Sequence, residues 1–185
     1  MSEASYGDVT AEYRALRDDA GLVTPGSELV WVRGPDAVTF LDGLLSQDVA
    51  GLESGEVARS FLLQPQGKLE ALLWVLRGED EVALVADPGR GTALLAALER
   101  FRFRVDAVLD TGVPCVEVWG PGSAGVLESA GAPAPDGWVG TGEGVVAAVP
   151  MGTLPRFLAP AALAPAIEEA GARRCGTVAA TTVRI

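Results

Sequence analysis

The chain lacks histidine altogether, and among its 185 residues it has one lysine and two cysteines. The absence of imidazole excludes a histidine general base, a Ser–His–Asp triad and any histidine-ligated metal. Cys115 and Cys175 are too few for a site of four thiolates, and we expect both to be buried and reduced. The sequence therefore predicts a protein that binds no metal and uses no histidine-dependent catalysis.

Positive charge is also scarce, since 14 Lys and Arg residues oppose 25 Asp and Glu residues and the formal net charge is −11. Because nucleic acid is densely negative, we do not expect such a chain to bind it. The densest group of basic residues is the segment R-F-R-F-R at residues 100–104. Its alternation predicts a strand whose arginines face water and whose phenylalanines face the core.

Long hydrophobic runs are absent as well. No segment reaches the roughly 18 apolar residues that a helix needs to span a bilayer. The first residues, M-S-E-A-S-Y-G-D-V, are polar and acidic and do not resemble a secretory signal. We therefore expect a cytoplasmic protein without a membrane partner, in a compartment that keeps both thiols reduced.

The spacing of apolar residues alternates along the chain between that of a strand and that of a helix, which predicts an α+β fold. Strands are expected over residues 28–33, 60–63, 69–76, 81–86, 105–109, 116–119 and 145–149. Helices are expected over residues 10–20, 38–45, 94–101 and 161–170, with Thr10 and Asp36 capping the first two. The last residues, T-V-A-A-T-T-V-R-I at 177–185, read as a strand.

A strand, a Gly-Pro turn and a helix follow one another twice, once around Gly34 and once around Gly120. The segments W-V-R-G-P-D and V-E-V-W-G-P carry this repeat, which predicts an internal duplication. We interpret residues 1–185 as one domain made of two related halves, about residues 10–112 and 113–185. Each half is expected to be a small sheet with helices on one face.

Two turns rich in glycine are candidate sites. The turn Gln64-Pro65-Gln66-Gly67-Lys68 lies between two predicted strands and predicts a hairpin. On this hairpin Lys68 and Glu70 would form a surface ion pair. The segment D-P-G-R-G at residues 87–91 lacks the lysine and the hydroxyl residue of a phosphate-binding loop, so it predicts the start of a helix.

Three segments in succession resemble the YgfZ/GcvT folate-binding family: Y-R-A-L-R-D-D-A-G-L-V at residues 13–23, V-R-G-P-D-A-V-T-F-L-D-G-L-L-S-Q-D-V at 32–49 and F-L-L-Q-P-Q-G-K-L at 61–69. The resemblance runs from about residue 12 to residue 185. It implies the duplicated α+β fold of this family and tetrahydrofolate as the ligand, with no metal. Chains of the family continue further, so a carboxy-terminal part is expected to be missing here.

The hairpin Gln66-Gly67-Lys68 resembles that of the YgfZ branch, which supports the maintenance or assembly of iron–sulfur enzymes. This resemblance implies a folate-binding protein without catalysis of its own, whose partners are folate and iron–sulfur enzymes or assembly proteins. The implied ligand-binding residues are Gln66, Gly67, Lys68 and Glu70, with Lys68 near the glutamate tail of folate, and no residue is assigned to catalysis. The K-G-C-[YF]-x-G-Q-E signature of that branch does not occur in the sequence.

Two alternatives remain open. The first is an aminomethyltransferase of the glycine cleavage type, which transfers an aminomethyl group from a lipoyl carrier to tetrahydrofolate. The resemblance places the key aspartate of such enzymes at Ala71 or Leu72, and Glu70 comes one position earlier, on the opposite face of an ideal strand. The second alternative is an interaction module that has kept the fold and lost the pocket.

Overall fold

A computed structural model of the protein describes residues 3–24, 27–142 and 144–184, and for residues 111–113 it describes the backbone. The chain forms two compact units. The central unit is Ser27–Val113, and the terminal unit combines Met1–Gly26 with Pro114–Ile185. The division after Val113 lies where the two predicted halves meet, whereas the first residues of the chain belong with its last segment.

Both units contain strands and short helices, in agreement with the predicted α+β class. The helices are α1 (Val9–Asp18), α2 (Ala37–Asp42), α3 (Gly91–Glu99), α4 (Ser123–Ser129), α5 (Ala164–Glu169) and α6 (Thr177–Arg184), and a 3-10 turn (Ala161–Leu163) precedes α5. The strands are β1 (Gly21–Val23), β2 (Glu28–Arg33), β3 (Val57–Leu63), β4 (Leu69–Arg77), β5 (Glu81–Ala86), β6 (Val108–Trp119), β7 (Trp138–Thr141), β8 (Gly144–Ala148), β9 (Arg156–Pro160) and β10 (Arg173–Cys175). Within the described ranges, no helix combines the length and the apolar content that crossing a membrane would demand.

The central unit is built on an antiparallel sheet in the order β3-β4-β5-β2. β5 is buried over almost its whole length, as its uninterrupted apolar sequence V-A-L-V-A requires. Helices α2 and α3 cover the sheet with their apolar sides. The core of this unit includes Val30, Val32, Leu41, Leu62, Leu73, Val75, Leu84, Leu94 and Leu98.

In the terminal unit β1 lies between β10, to which it is parallel, and β6, to which it is antiparallel. β6 also pairs with β9, and β8 lies between β9 and β7. One apolar cluster includes Leu22, Val116, Val118, Leu127, Val146, Phe157 and Ile167. A second cluster, beneath α1 and α6, includes Leu16, Val23, Trp119 and Cys175.

Charged side chains surround the buried indole ring of Trp119 in the terminal unit. Its indole nitrogen donates to Glu117 at 2.8 Å, and Arg156 pairs with the same carboxylate at 3.2 Å. The guanidinium groups of Arg156 and Arg184 lie 5.5 and 5.4 Å from the centre of the indole ring. Because Arg184 belongs to α6, these contacts tie the last helix to β6 and β9.

The two Gly-Pro turns have the same backbone geometry. Gly34 has a φ of 133° and Gly120 a φ of 105°, a region that favours glycine. A Cβ at Gly34 would overlap the carbonyl oxygen of Asp106, and a Cβ at Gly120 would overlap that of Asp19. The shared geometry supports the predicted repeat of strand, turn and helix, while the duplication of a whole unit stays a prediction.

Replacing Gly120 with alanine should destabilise the protein more than replacing Gly131 in the same unit. Gly131 also has a positive φ of 78°, but the space around its Cβ position is open. The unfavourable φ costs about 1–2 kcal/mol, whereas G120A adds the overlap with Asp19. We expect the free energy of unfolding to fall by at least about 3 kcal/mol for G120A and by about 1 kcal/mol for G131A, as measured by urea denaturation. Equal losses would contradict the close-contact argument.

The buried carboxylate of Glu12 joins the beginning of the described chain to its end. One oxygen accepts hydrogen bonds from the Ser5 hydroxyl at 2.8 Å and the Tyr6 amide at 2.6 Å, and the other accepts from the Gly176 amide at 2.8 Å. Burial opposes the ionisation of this carboxyl, but the hydrogen bonds outweigh it and the pKa of Glu12 is lowered. The amino-terminal segment and the start of α6 are therefore held by one side chain.

Changing Glu12 to glutamine should lower the free energy of unfolding at pH 7 by about 1–3 kcal/mol, because the amide cannot satisfy both sets of donors. The pKa of Glu12 is lower in the folded than in the unfolded protein, so its contribution is complete at neutral pH and disappears as the pH falls through the folded pKa. The difference between wild type and E12Q, measured by chemical denaturation, should therefore shrink in acid. E128Q, on an exposed side of α4, is the control and should change stability by less than about 0.5 kcal/mol. A similar loss in both variants would refute the role of Glu12.

The predicted cap of α1 is wrong, whereas Asp36 occupies the N-cap position of α2 as predicted. Helix α1 begins one residue before Thr10, and its cap is Asp8, whose carboxylate accepts from the Ala11 amide at 3.0 Å. The carboxylate of Asp36 makes no capping hydrogen bond to α2. It accepts instead from the amide of Asp106 at 2.7 Å, so it helps to close the turn around Gly34.

Two predicted strands are also wrong. Residues 100–104 follow α3 as turns and bends, where Phe103 is 78% exposed and Phe101 is exposed as well. Alternation alone does not form a strand without a neighbouring strand to pair with, and β6 begins only at Val108. The last described residues form α6 instead of a strand, and Ala179 and Ala180 are buried against the core there.

Candidate functional site

A cleft opens in the central unit because β4 extends past the end of β5. The strands pair only from Trp74 to Arg77 of β4, although β4 begins at Leu69. Between the first half of β4 and helix α3 lies a cavity of about 440 Å³. This volume is in the range of sites for small organic ligands.

Both apolar and polar surfaces form the walls of this cavity. The apolar side chains of the lining are Leu62, Leu69, Ala71 and Leu72 from the hairpin, Ala86 from the end of β5, and Ala93, Leu94 and Ala97 from α3. The polar side chains of the lining are Glu70, Asp87 and Arg90. Apolar side chains beside a few convergent polar groups are typical of pockets that bind and orient small organic molecules.

A β-bulge places Glu70 in the lining of the cavity. Leu62 pairs with Ala71 and Leu63 pairs with Leu69, so Glu70 has no partner across the hairpin. A bulge of this kind turns side chains away from strict alternation. Glu70 and Ala71 both line the cavity, together with Leu69 and Leu72, and the expectation that Glu70 and Ala71 face opposite ways stays a prediction.

The partner of Glu70 is Arg100, which follows α3. An Arg100 nitrogen donates to Oε1 of Glu70 at 2.5 Å, and the side chains of Glu70 and Arg100 are 20% and 60% exposed. The predicted pairing of Glu70 with Lys68 is wrong. Among the described residues, the other carboxylate oxygen of Glu70 accepts no hydrogen bond, so one oxygen remains available to a ligand.

The turn at residues 87–91 is confirmed as the start of helix α3. Its amides are engaged by an internal carboxylate, because Gly89 and Gly91 donate to the two oxygens of Glu28 at 3.0 and 2.7 Å. Glu28 thus occupies the position that an anion takes at a helix start. The exposed side chain of Arg90 lines the cavity beside this turn.

The sequence-predicted ligand residues divide into two groups. Glu70 lines the cavity, whereas Gln66, Gly67 and Lys68 form the exposed tip of the β3–β4 hairpin, outside the lining. The tip closes through two backbone hydrogen bonds of 2.8 Å, from Gln64 to Lys68 and from Gly67 to Gln64. The assignment of these residues to a ligand stays a prediction.

Sequence reasoning missed Arg90 and Arg100 as neighbours of the site. Arg100 was expected on a strand, and residues 87–91 were interpreted as a helix start without a role in ligand binding. The spacing of apolar residues does not predict the contact between Glu70 and Arg100, because these residues are 30 positions apart in the sequence. The sequence offered one usable signal, a cluster of arginines after an apolar helix in an otherwise acidic chain.

The two cysteines do not contribute reactive groups. Both are free and buried, as predicted. Burial raises the pKa of Cys115 and that of Cys175 to about 12, and the nearby carboxylates Glu117 and Glu12 act in the same direction. Within the part of the chain that the structure describes, no group of three or more Cys, Asp or Glu side chains is arranged to hold a metal ion.

Comparison with known proteins identifies relatives of the whole described chain. The sequence profile described as the GCVT N-terminal domain matches residues 3–136. An aminomethyltransferase of Mycobacterium leprae is 26% identical over 164 residues, covering 82% of this chain and 42% of that protein. An aminomethyltransferase of Bordetella petrii is 43% identical over 65 residues, or 34% of this chain and 18% of that protein. The crystal structure of the glycine cleavage system aminomethyltransferase T from Bartonella henselae has a TM-score of 0.83 and 25% identity, covering 99% of this chain and 55% of that one.

These relatives support the aminomethyltransferase alternative better than the YgfZ-like interpretation, because they carry the name of the former. The chain spans about half the length of the Mycobacterium leprae and Bartonella henselae proteins. The fold agrees with that of an aminomethyltransferase over nearly the whole chain. Since the family profile covers most of the sequence, the chain belongs to the GCVT N-terminal domain family.

Proposed function

We propose that the protein binds tetrahydrofolate in the cavity of the central unit, as the folate-binding part of an aminomethyltransferase-type protein. The observation that carries this proposal is a cleft lined by leucine and alanine side chains together with the carboxylate of Glu70, in a chain of the GCVT N-terminal domain family. A cytoplasmic location is part of the same proposal, because both cysteines are free thiols.

The chemistry of tetrahydrofolate is complementary to the lining. Its reduced pteridine has ring faces that leucine side chains can contact, and Leu62, Leu72 and Leu94 supply such surfaces. The edges of the ring carry N–H groups, which need acceptors when they leave water. An ionised carboxylate is purely an acceptor, so the oxygen of Glu70 that Arg100 leaves unbonded suits one of these N–H groups.

Transfer of an aminomethyl group to the bound folate is the second part of the proposal. The side chains of Ala71 and Leu72 cannot orient an acceptor amine, because they have no polar atoms. Glu70 lies at the same end of β4 and faces the cavity, so it takes the orienting role here. The relatives described above do not bear on iron–sulfur enzymes, and a role in their maintenance is the less supported candidate.

Changing Glu70 to glutamine should weaken tetrahydrofolate binding about tenfold, because the ligand N–H then loses a charged acceptor. Isothermal titration calorimetry under reducing conditions measures the dissociation constant. E99Q is the matched control, since Glu99 lies in the same unit and pairs with Arg102 at 2.8 Å outside the cavity lining. Absence of binding by the wild type at millimolar tetrahydrofolate, or unchanged binding by E70Q, would contradict the proposed site.

Binding of the acidic tail of tetrahydrofolate should depend on two exposed basic residues, Arg90 in the cavity lining and Lys68, which precedes the lining residue Leu69. We expect K68Q and R90Q each to weaken tetrahydrofolate binding by about threefold, an effect that added salt reduces. Binding of a tetrahydropterin without the glutamate tail should not change. R59Q is the control, because Arg59 lies over the ring of Trp74 away from the cavity lining. Equal losses for both ligands would show that these residues do not bind the tail.

A further inference from the structure

We propose that Arg100 is a positioning residue for the ligand of the cavity. It holds one oxygen of Glu70 and thereby directs the other toward an N–H group of the bound molecule. This inference rests on the proposed function, since it assigns a second residue to the same site. Arg100 itself is absent from the cavity lining, so its effect on the ligand passes through Glu70.

Because of the bulge, no residue across the hairpin restrains the side chain of Glu70. A regular strand residue is restrained by its cross-strand neighbour, but the register of the hairpin passes from Leu62–Ala71 to Leu63–Leu69 and omits Glu70. The flexible side chain of a glutamate loses rotational entropy when a ligand fixes it. An existing hydrogen bond from Arg100 to Oε1 removes part of that cost before binding.

The exposure of the Arg100–Glu70 ion pair to water distinguishes a role of Arg100 in ligand binding from a role in the stability of the fold. The Arg100 side chain is 60% exposed and that of Glu70 is 20% exposed, so water screens their attraction. Exposed ion pairs of this kind add little to the stability of a fold. Loss of Arg100 should therefore leave folding nearly unchanged and appear mainly in ligand binding.

The chemistry of arginine fits this task. Its guanidinium group is charged at any physiological pH and offers several N–H donors in one plane. A lysine at the same place would keep the charge but lose the planar geometry. The conservative R100K variant should therefore restore only part of the affinity that R100Q loses.

The test is a double-mutant cycle on the full chain with tetrahydrofolate as the probe. Dissociation constants are measured for wild type, R100Q, R100K, E70Q and the double variant E70Q/R100Q. We expect R100Q to weaken binding about fivefold, the order of a hydrogen bond to a charged group, and R100K to recover part of the loss. The double variant should bind like E70Q alone, because Arg100 acts through Glu70.

Two controls make the result decisive. R102Q removes a neighbouring arginine whose ion pair, to Glu99, is also in contact with water, and it should bind like the wild type. Thermal unfolding of R100Q should match that of the wild type. If R100Q weakens binding by the same factor with and without Glu70, or lowers stability as much as affinity, the positioning role is overturned while the folate site stands. If the wild type does not bind tetrahydrofolate, both proposals fail.

Discussion

The structure depends on its Gly-Pro turns, where the backbone passes so close to a neighbouring carbonyl that only glycine fits. At Gly34 the neighbour is the carbonyl of Asp106, and at Gly120 it is that of Asp19. In both turns the same carbonyl accepts a hydrogen bond from the amide two residues after the glycine. The close approach and the hydrogen bond together fix the angle at which a helix leaves a central strand, once in each unit.

The cleft of the central unit lies beside the first half of β4, which does not pair with β5. Helix α3 packs on the sheet through Leu94 and Leu98, while β4 continues beyond the end of β5. The gap between them is lined by apolar side chains because the same residues continue the core. The bulge then leaves Glu70 unpaired across the hairpin, and Glu70, Asp87 and Arg90 are the charged side chains of the lining.

The carboxylates of Glu12 and Glu117 have a different environment from that of Glu70, and correspondingly a different role. In the terminal unit Glu12 accepts three hydrogen bonds, and Glu117 contacts an indole nitrogen and Arg156 while it is 1% exposed. Such satisfied, buried groups hold segments together. Glu70 has one partner and one oxygen without a hydrogen bond among the described residues, beside a cavity. That contrast is the physical basis for assigning binding to Glu70 and stability to the others.

Apolar periodicity and turn residues by themselves determined the strands β2, β4 and β5, the hairpin with Gly67 at its tip and the helix start at residues 87–91. The composition of the chain likewise predicted the burial of both thiols. These features could be predicted because they depend on neighbours along the chain. The resemblance in three segments also identified the family correctly. The loop at residues 100–104 and the helix α6 were mistaken for strands, because alternating and β-branched residues form strands only where a partner strand exists. The bulge at Glu70 and its contact with Arg100 were decided by the tertiary structure alone, because strand register and the packing of α3 bring together residues that no local pattern relates.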